Sequence, residues 1–330
     1  MKANDTIKDY VVLTEPQGGA QGQWALASRA GKVYFLKKFL NPKYPQPGGP
    51  GSPAVRERKL AECAAFEQRN IHLHRSLNSA QLGAGNLVVA DEFFREGSTY
   101  YKATSIVVGS GHSDLTALSP KQALVVIRTM LLSINLLHQA GFVHGDLKPE
   151  NIIIQESSPG IFVAKVIDYD DGYIVGLPPD RDAVVGDQRF YSPELLTYIS
   201  GNPVVTGAML TPASDMFALG LLIYFLFTGK LPDYDRNVFN SAATAVMKGA
   251  LVMDEITGSL HSWLTMLTQL DYTKRPEIHD LLYYFVDMTP EELAACLTNR
   301  RPPKTTSRAV PPRTPLPTSG GLRGTLKPKP

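Results

Sequence analysis

The densest chemistry in the chain lies in "HGDLKPENIII" (residues 144–154), where a His, two carboxylates, a Lys and an Asn precede an aliphatic run. Asp146 and Lys148 are separated by one residue, and Asn151 follows three later. Seventeen residues past Asn151, the apolar stretch "KVIDYDDG" reaches a further carboxylate, Asp168. A polar turn capped by Asp and Asn accounts for any one of these residues, but not for the whole spacing. Together they suit phosphoryl transfer. Moving a phosphoryl group needs a base that orients the attacking hydroxyl, oxygen ligands for Mg²⁺ and a cation on the moving phosphate. Mg²⁺ takes one or two protein oxygens alongside phosphates and water, which Asn151 and Asp168 supply.

Two short buried strands must hold these groups at neighbouring ends. One is the run after Asn151; the other is the stretch that ends at Asp168. Upstream, Ser119-Pro120 starts a long helix, with Ser as N-cap and Pro at the first helical position, and Gly141 stops it. Residues 10–40 read as strands around a Gly-rich turn, "QGGAQGQW". A Pro/Gly loop (41–53) precedes a helix over 54–70, and 86–108 reads as two more strands. From 119 to about 298 the pattern is mostly helical, with loops at 156–160, 171–192 and 229–241. The expected architecture is therefore α+β, with a small strand-rich lobe (about 1–111) ahead of a larger helical lobe (about 112–299).

A chain of 330 residues that is 43% hydrophobic can build such lobes. Its two cysteines, Cys63 and Cys296, argue against a disulfide framework and for a reducing, cytoplasmic setting. The start of the sequence has no signal-like apolar run. The stretch "FALGLLIYFLF" (217–227) is too short to span a bilayer and reads as a core helix. The formal charge of +2 is uneven: of 33 basic residues, eight lie from Arg300 onward with no acidic residue among them. The remainder holds 25 basic against 31 acidic residues, an acidic body with a basic tail. That balance does not suit a nucleic-acid-binding domain, and nothing indicates a membrane. The tail, 300–330, is rich in Pro, Thr and basic residues and is expected to be disordered.

These segments resemble the eukaryotic-type Ser/Thr protein kinase family. "HGDLKPENI" resembles its catalytic loop. "KVIDYDDG" is similar to its metal-binding segment, with Tyr and Asp where Phe and Gly are usual. "YSPELL", "SDMFALGLLIYFLFTGKLP" and "RPEIHDLL" resemble the end of the activation segment, the central helix and the Arg-Pro signature. "KVYFLKKF" resembles the strand with the phosphate-binding Lys. The resemblance covers roughly residues 10–290, in order, and points to an atypical bacterial branch.

It implies a bilobal kinase fold and transfer of the ATP γ-phosphate to Ser or Thr hydroxyls, with ATP and Mg²⁺. Asp146 would act on the acceptor hydroxyl, Lys148 on the phosphate, and Asn151 and Asp168 as metal ligands. Lys37 would hold the α/β-phosphates, paired with a Glu on the following helix. Glu62 is the favoured partner, and Glu57 and Glu67 remain open. Glu194 would pair with Arg275, and Asp215 would tether the catalytic loop.

Some positions depart from the pattern. In the Gly-rich loop Gly19 and Gly22 are in place, but Gln17 stands at the first Gly and Trp24 at the Val. Trp24 and Phe35 replace the small residues over the adenine, implying a reshaped pocket. Gly145 stands where regulated members carry an Arg that reads a phosphorylated activation loop. Asp187 replaces a Thr near Asp146, which adds like-charge repulsion unless Lys148 lies between them. Alternative readings are a small-molecule phosphotransferase of the aminoglycoside or choline kinase type and a pseudokinase scaffold. Lys148, "YSPE" and "RPEIHDLL" favour the protein kinases over the former. The tail, with Thr and Ser among Arg and Pro, is an expected site of self-phosphorylation, readable by a phosphothreonine- or Pro-binding partner.

Overall fold

The computed structural model describes residues 1–18, 22–79 and 86–297. The expected tail (300–330) and Gly19 lie outside the described residues.

Alternating apolar and polar residues build the first sheet. Its strands are β1 (Thr6–Ile7), β2 (Tyr10–Val12), β3 (Gln17–Gly18), β4 (Gly22–Arg29), β5 (Lys32–Phe39), β6 (Glu92–Glu96) and β7 (Thr99–Ser105). The order is β1-β2-β4-β5-β7-β6, with β3 on β4, and every pairing is antiparallel. Between β5 and β6 runs helix α1 (Pro53–Ser79), longer than the sequence pattern suggested. Its residues 53–62 are all exposed, and Cys63 is its first buried position. Cys63 and Phe66 dock on Phe39, Phe93 and Tyr100 of the sheet.

The second lobe is built on α2 (Pro120–Gln139). Ser119 caps it in a reciprocal box with Gln122, and Ile127, Met130, Leu131 and Ile134 line its buried face. Next come β8 (Phe142–Val143), β9 (Ile152–Ser158), β10 (Ile161–Val166) and β11 (Tyr173–Ile174). The helices α3 (Pro193–Ile199), α4 (Pro212–Thr228), α5 (Ala242–Val246), α6 (Gly258–Leu267), α7 (Ile278–Asp287) and α8 (Pro290–Cys296) complete it. Helix α4, "PASDMFALGLLIYFLFT", is buried on nearly every side, as a helix that is apolar all round must be. Its Phe217, Leu221 and Phe227 share one core with α2, β9, β10 and α6.

Two antiparallel pairs position the chemistry. β9 pairs with β10 so that Ile152 faces Val166, which sets Asn151 beside the end of the strand leading to Asp168. The Ile167 amide donates to the Asn151 carbonyl at 3.0 Å. β8 pairs with β11, placing Val143, just before the catalytic turn, opposite Tyr173, just after the acidic run.

Candidate active site

Asp146 sits at the centre of a closed set of hydrogen bonds. Lys148 Nζ donates to its Oδ2 at 2.5 Å, and the Asn151 side-chain amide donates to Oδ2 at 3.0 Å and to the Asp146 carbonyl at 2.7 Å. Asn151 thereby spends both side-chain N–H groups on Asp146, leaving its Oδ1 for a cation. The Asp187 backbone amide donates to Asp146 Oδ1 at 2.9 Å. The loop backbone is held from below by α4: His144 N and Gly145 N donate to the two Asp215 oxygens at 2.7 and 3.0 Å. His138 Nε2 meets the same carboxylate at 2.9 Å. Burial pushes the Asp215 carboxyl up, but hydrogen bonds and charge from His138 hold it below the usual range.

Asp168 lies at φ +56°, a left-handed conformation that Asp tolerates better than most residues. Its neighbour Tyr169 is buried in the core and donates its hydroxyl to the Val88 carbonyl at 3.0 Å. That anchor fixes the segment while leaving the Asp168 side chain 45% exposed. An exposed carboxylate and the nearby Asn151 amide oxygen form a hard-oxygen donor pair that fits Mg²⁺.

Lys37 on β5 reaches this segment, but not through the expected helix carboxylate. Its Nζ is 2.8 Å from Asp168 Oδ1 and 2.7 Å from Asp170 Oδ2. Glu62 does not pair with it. Glu62 lies on the exposed stretch of α1 and pairs with Arg58 at 3.5 Å. Neither alternative takes the place: Glu57 is exposed, and Glu67 accepts from the Tyr100 hydroxyl at 2.7 Å. The reason is packing. Helix α1 meets the sheet only from Cys63 onward, so Glu57 and Glu62 project into solvent, while Glu67, beyond that point, is held by Tyr100. Asp170 also pairs with Lys102, the cross-strand neighbour of Lys37. Burial works against charge at Asp170, but Lys102 and Lys37 outweigh it and hold the carboxyl far below its usual range. Burial likewise lowers Lys37, and Asp170 and Asp168 more than reverse it.

The expected repulsion between Asp187 and Asp146 is relieved in part by Lys148, as the sequence allowed, and mainly by Arg189, which the sequence reading did not consider. Arg189 Nε lies 3.0 Å from both Asp187 oxygens, and its Nη2 lies 2.5 Å from Oδ2. Partial burial pushes Asp187 up, but Arg189 holds it below the ordinary range. Asp146, Lys148, Gly186, Asp187 and Gln188 line an open cleft of about 410 Å³. On the sheet side, Trp24 and Phe35 stack on each other at 4.8 Å. Gln17 pairs with Trp24 across β3–β4, and among the described residues of the Gly-rich segment Gly18 is left-handed, at φ +123°. A Cβ on Gly18 would lie 2.3 Å from the Gly22 carbonyl. A Cβ on Gly22, at the start of β4, would lie 3.3 Å from the Lys38 carbonyl oxygen and 3.6 Å from Lys37 Cε.

Residues 53–292 match the family described as the protein kinase domain. The chain belongs to the protein kinase family. The match begins after β5, so the placement of Lys37 rests on the sheet geometry. Among the relatives, a probable myosin light chain kinase of Dictyostelium discoideum is 29% identical over 167 residues, covering 48% of this chain and 51% of that protein. A serine/threonine-protein kinase of Saccharomyces cerevisiae is 24% identical over 247 residues, covering 70% of this chain and 27% of that protein. A bacterial one from Myxococcus xanthus is 28% identical over 177 residues, covering 49% of this chain and 20% of that protein. The chain thus spans about half or less of the length of these relatives.

In this kinase domain Arg275 is fully buried and makes a bidentate pair with Glu194, at 2.7 and 2.8 Å, tying α3 to the segment ahead of α7. Ser192 caps α3, accepting from the Leu195 amide at 3.3 Å. The residues the sequence reading missed are Asp170, Lys102, Arg69, Arg189 and Gly18. Asp170 had a visible signal: a carboxylate at a position where the family has Gly must find cations once buried. Lys102 had one too, as the single charged residue of its strand, directly after Tyr100 and Tyr101. Arg69, which donates to the Gly172 carbonyl at 3.1 Å, had none, because α1 is rich in exposed arginines.

Proposed function

We propose that this domain transfers the γ-phosphate of ATP to Ser or Thr hydroxyls of protein substrates, with Mg²⁺, in the cytoplasm. The reading is carried by two side-chain groups that the β9–β10 pairing holds at neighbouring strand ends: Asp146 with Lys148 and Asn151, and Asp168 with Lys37. Asp146, oriented by Asn151 and the Asp187 amide, accepts the hydroxyl proton as the hydroxyl oxygen bonds to phosphorus and the bond to the leaving ADP oxygen breaks. Lys148 sits beside Asp146, where it balances charge gathering on the transferred group. Lys37 holds the nucleotide phosphates under the turn at Gly18 and Gly22. Mg²⁺, when bound to Asp168 and Asn151, supplies charge neutralisation and alignment of the phosphate oxygens. The cysteines are buried and free, in keeping with a reducing compartment.

The acceptor includes the chain itself. Thr305, Thr306, Ser307, Thr314, Thr318, Ser319 and Thr325 sit among basic residues and prolines. A tether raises their effective concentration at the cleft. A phosphothreonine-reading or Pro-binding domain is the partner such a segment suits. The test is incubation with labelled ATP and Mg²⁺, with a basic acceptor protein and with the chain alone, beside Asp168→Ala and a form ending at Asn299. Label in the wild type, none in Asp168→Ala and fewer phosphates on the shortened form are expected. Equal labelling by Asp168→Ala would sink the metal assignment, and equal phosphate counts with and without the tail would remove the self-acceptor.

A further inference from the structure

We infer that Asp170 is the positioning residue for Lys37, taking the place of a helix carboxylate, so that the phosphate-binding lysine is locked to the metal-binding segment rather than to α1. The inference rests on the kinase reading for its chemistry, but the ion pair itself stands on geometry. Asp170 lies two residues after Asp168, and its side chain is 5% exposed. Its two oxygens are divided between the neighbouring lysines: Oδ2 lies 2.7 Å from Lys37, and Oδ1 pairs with Lys102. Lys37 and Lys102 stand directly opposite each other in the β5–β7 ladder, so both ammonium groups face one carboxylate.

Helix α1 supplies a cation at this site instead of an anion. Arg69 is partly buried and donates to the carbonyl of Gly172, the residue after the acidic run, at 3.1 Å. Asp168 and Asp170 are thus met by Lys37 and Lys102, while Arg69 holds the backbone just beyond Asp171. A Glu on α1 reaching this site would add a fourth carboxylate beside Asp168, Asp170 and Asp171. The usual arrangement also makes Lys37 depend on the helix being swung inward. Here the counter-ion and the metal ligand share one backbone segment, held by the Tyr169 anchor. Lys37 and Asp168 therefore keep their relation without a carboxylate from α1.

The pair is tested by two readouts on the full chain. The first is thermal unfolding of Lys37→Met, Asp170→Asn and the double variant, beside the same cycle with Glu62→Gln. The Lys37 and Asp170 changes should be strongly non-additive, while the Lys37 and Glu62 changes should add. The second is initial-rate kinetics and affinity for a non-hydrolysable ATP analogue with Mg²⁺. Asp170→Asn should lose at least about 30-fold in kcat/KM for ATP and weaken the analogue, with the acceptor KM unchanged, while Glu62→Gln stays within about twofold. A merely unfolded fraction would lower the rate without moving the ATP constants selectively. Asp170→Asn leaves two buried lysines facing each other, so Lys102→Met/Asp170→Asn removes one of them. That double variant should recover part of the analogue affinity. Additive Lys37 and Asp170 changes, or a loss in Glu62→Gln matching that in Asp170→Asn, would overturn the inference. A wild type without phosphotransfer, but with the same non-additivity, would overturn the kinase reading and leave the pair standing.

Discussion

Gly172 is the point at which the two halves of the site touch, and replacing it with Ala is the most direct test of how the halves are held. An ideal Cβ there would lie 2.4 Å from Phe142 Cε1, 2.5 Å from the Val143 carbonyl oxygen and 3.0 Å from the His144 carbonyl oxygen. Ordinary carbon contacts sit near about 3.5–4 Å, so the segments must part by roughly 1 Å. Neither side can give cheaply. Phe142 and Val143 are fully buried, and Val143 is paired with Tyr173 in the β8–β11 bridge. Overpacking of this kind costs about 1–3 kcal/mol, and the upper end applies because two of the three obstacles are backbone. The same displacement separates the catalytic loop from the segment that carries Asp168. A misplacement of about 1 Å costs on the order of 100-fold in rate. Urea unfolding and initial rates at saturating ATP measure the two effects. Gly145→Ala is the control: at φ +75° its cost is the left-handed backbone, about 1–2 kcal/mol, with its nearest contact, the Asp171 carbonyl, at 3.3 Å. If Gly172→Ala lost less stability than Gly145→Ala, or kept full kcat while destabilised, the close contact would not be what aligns the site.

Arg275→Ala should destabilise by about 3–5 kcal/mol in urea, because Glu194 is left buried and unpaired, and Glu194→Leu/Arg275→Met should recover most of it. Asp215 titrates lower folded than unfolded, so its stabilisation is complete above the unfolded range near about 3.9 and is lost as pH falls through the folded value. The unfolding free-energy gap between wild type and Asp215→Asn should therefore be flat above about pH 5 and narrow below about pH 4. Asp187→Thr keeps the backbone N–H on Asp146 and should hold kcat within about threefold. Arg189→Ala, which leaves the Asp187 charge bare, should cost about tenfold, or about 1.4 kcal/mol, and the double variant should restore it.

The sequence was most readable where one residue type does one job. The spacing of Asp146, Lys148 and Asn151 follows from a turn between β8 and β9, and the β9–β10 register then puts Asp168 where an apolar run ending in Asp suggested. The capped start of α2, the tether at Asp215 and the Glu194–Arg275 pair are similarly local in their causes. Glu62 was misread because a helix carboxylate's facing depends on where the helix first meets the sheet. That contact begins at Cys63, a residue with no distinctive periodicity. Asp187 was readable as a charge near Asp146 but not as a neutralised one, since Arg189 folds back over only two residues to reach it. The clustering of Lys37, Lys102 and Arg69 around the acidic run needed the β5–β7 register, which no local pattern encodes.

The segment between Asp168 and α3 bears on how the domain is switched. Between residues 169 and 193 the chain has one Ser, Ser192, and no Thr. Ser192 is buried and occupied as the cap of α3. The tyrosines of the segment, Tyr169, Tyr173 and Tyr191, are buried as well. A phosphate added there would have no arginine before Asp146 to read it, because Gly145 occupies that place at φ +75°. The work of ordering the segment is done instead by fixed charges: Arg189 joins Asp187 to Glu150, at 3.4 Å from the latter, and the Asp187 amide reaches Asp146 directly. With Lys37 anchored by Asp170, neither a loop phosphate nor an inward helix is required to assemble the site. The prediction is that phosphatase-treated enzyme keeps its full rate from the first minute of assay, with no lag that shortens as enzyme concentration rises. A rate abolished by phosphatase and restored with ATP, together with a phosphate mapped to residues 169–193, would show that the segment is switched after all.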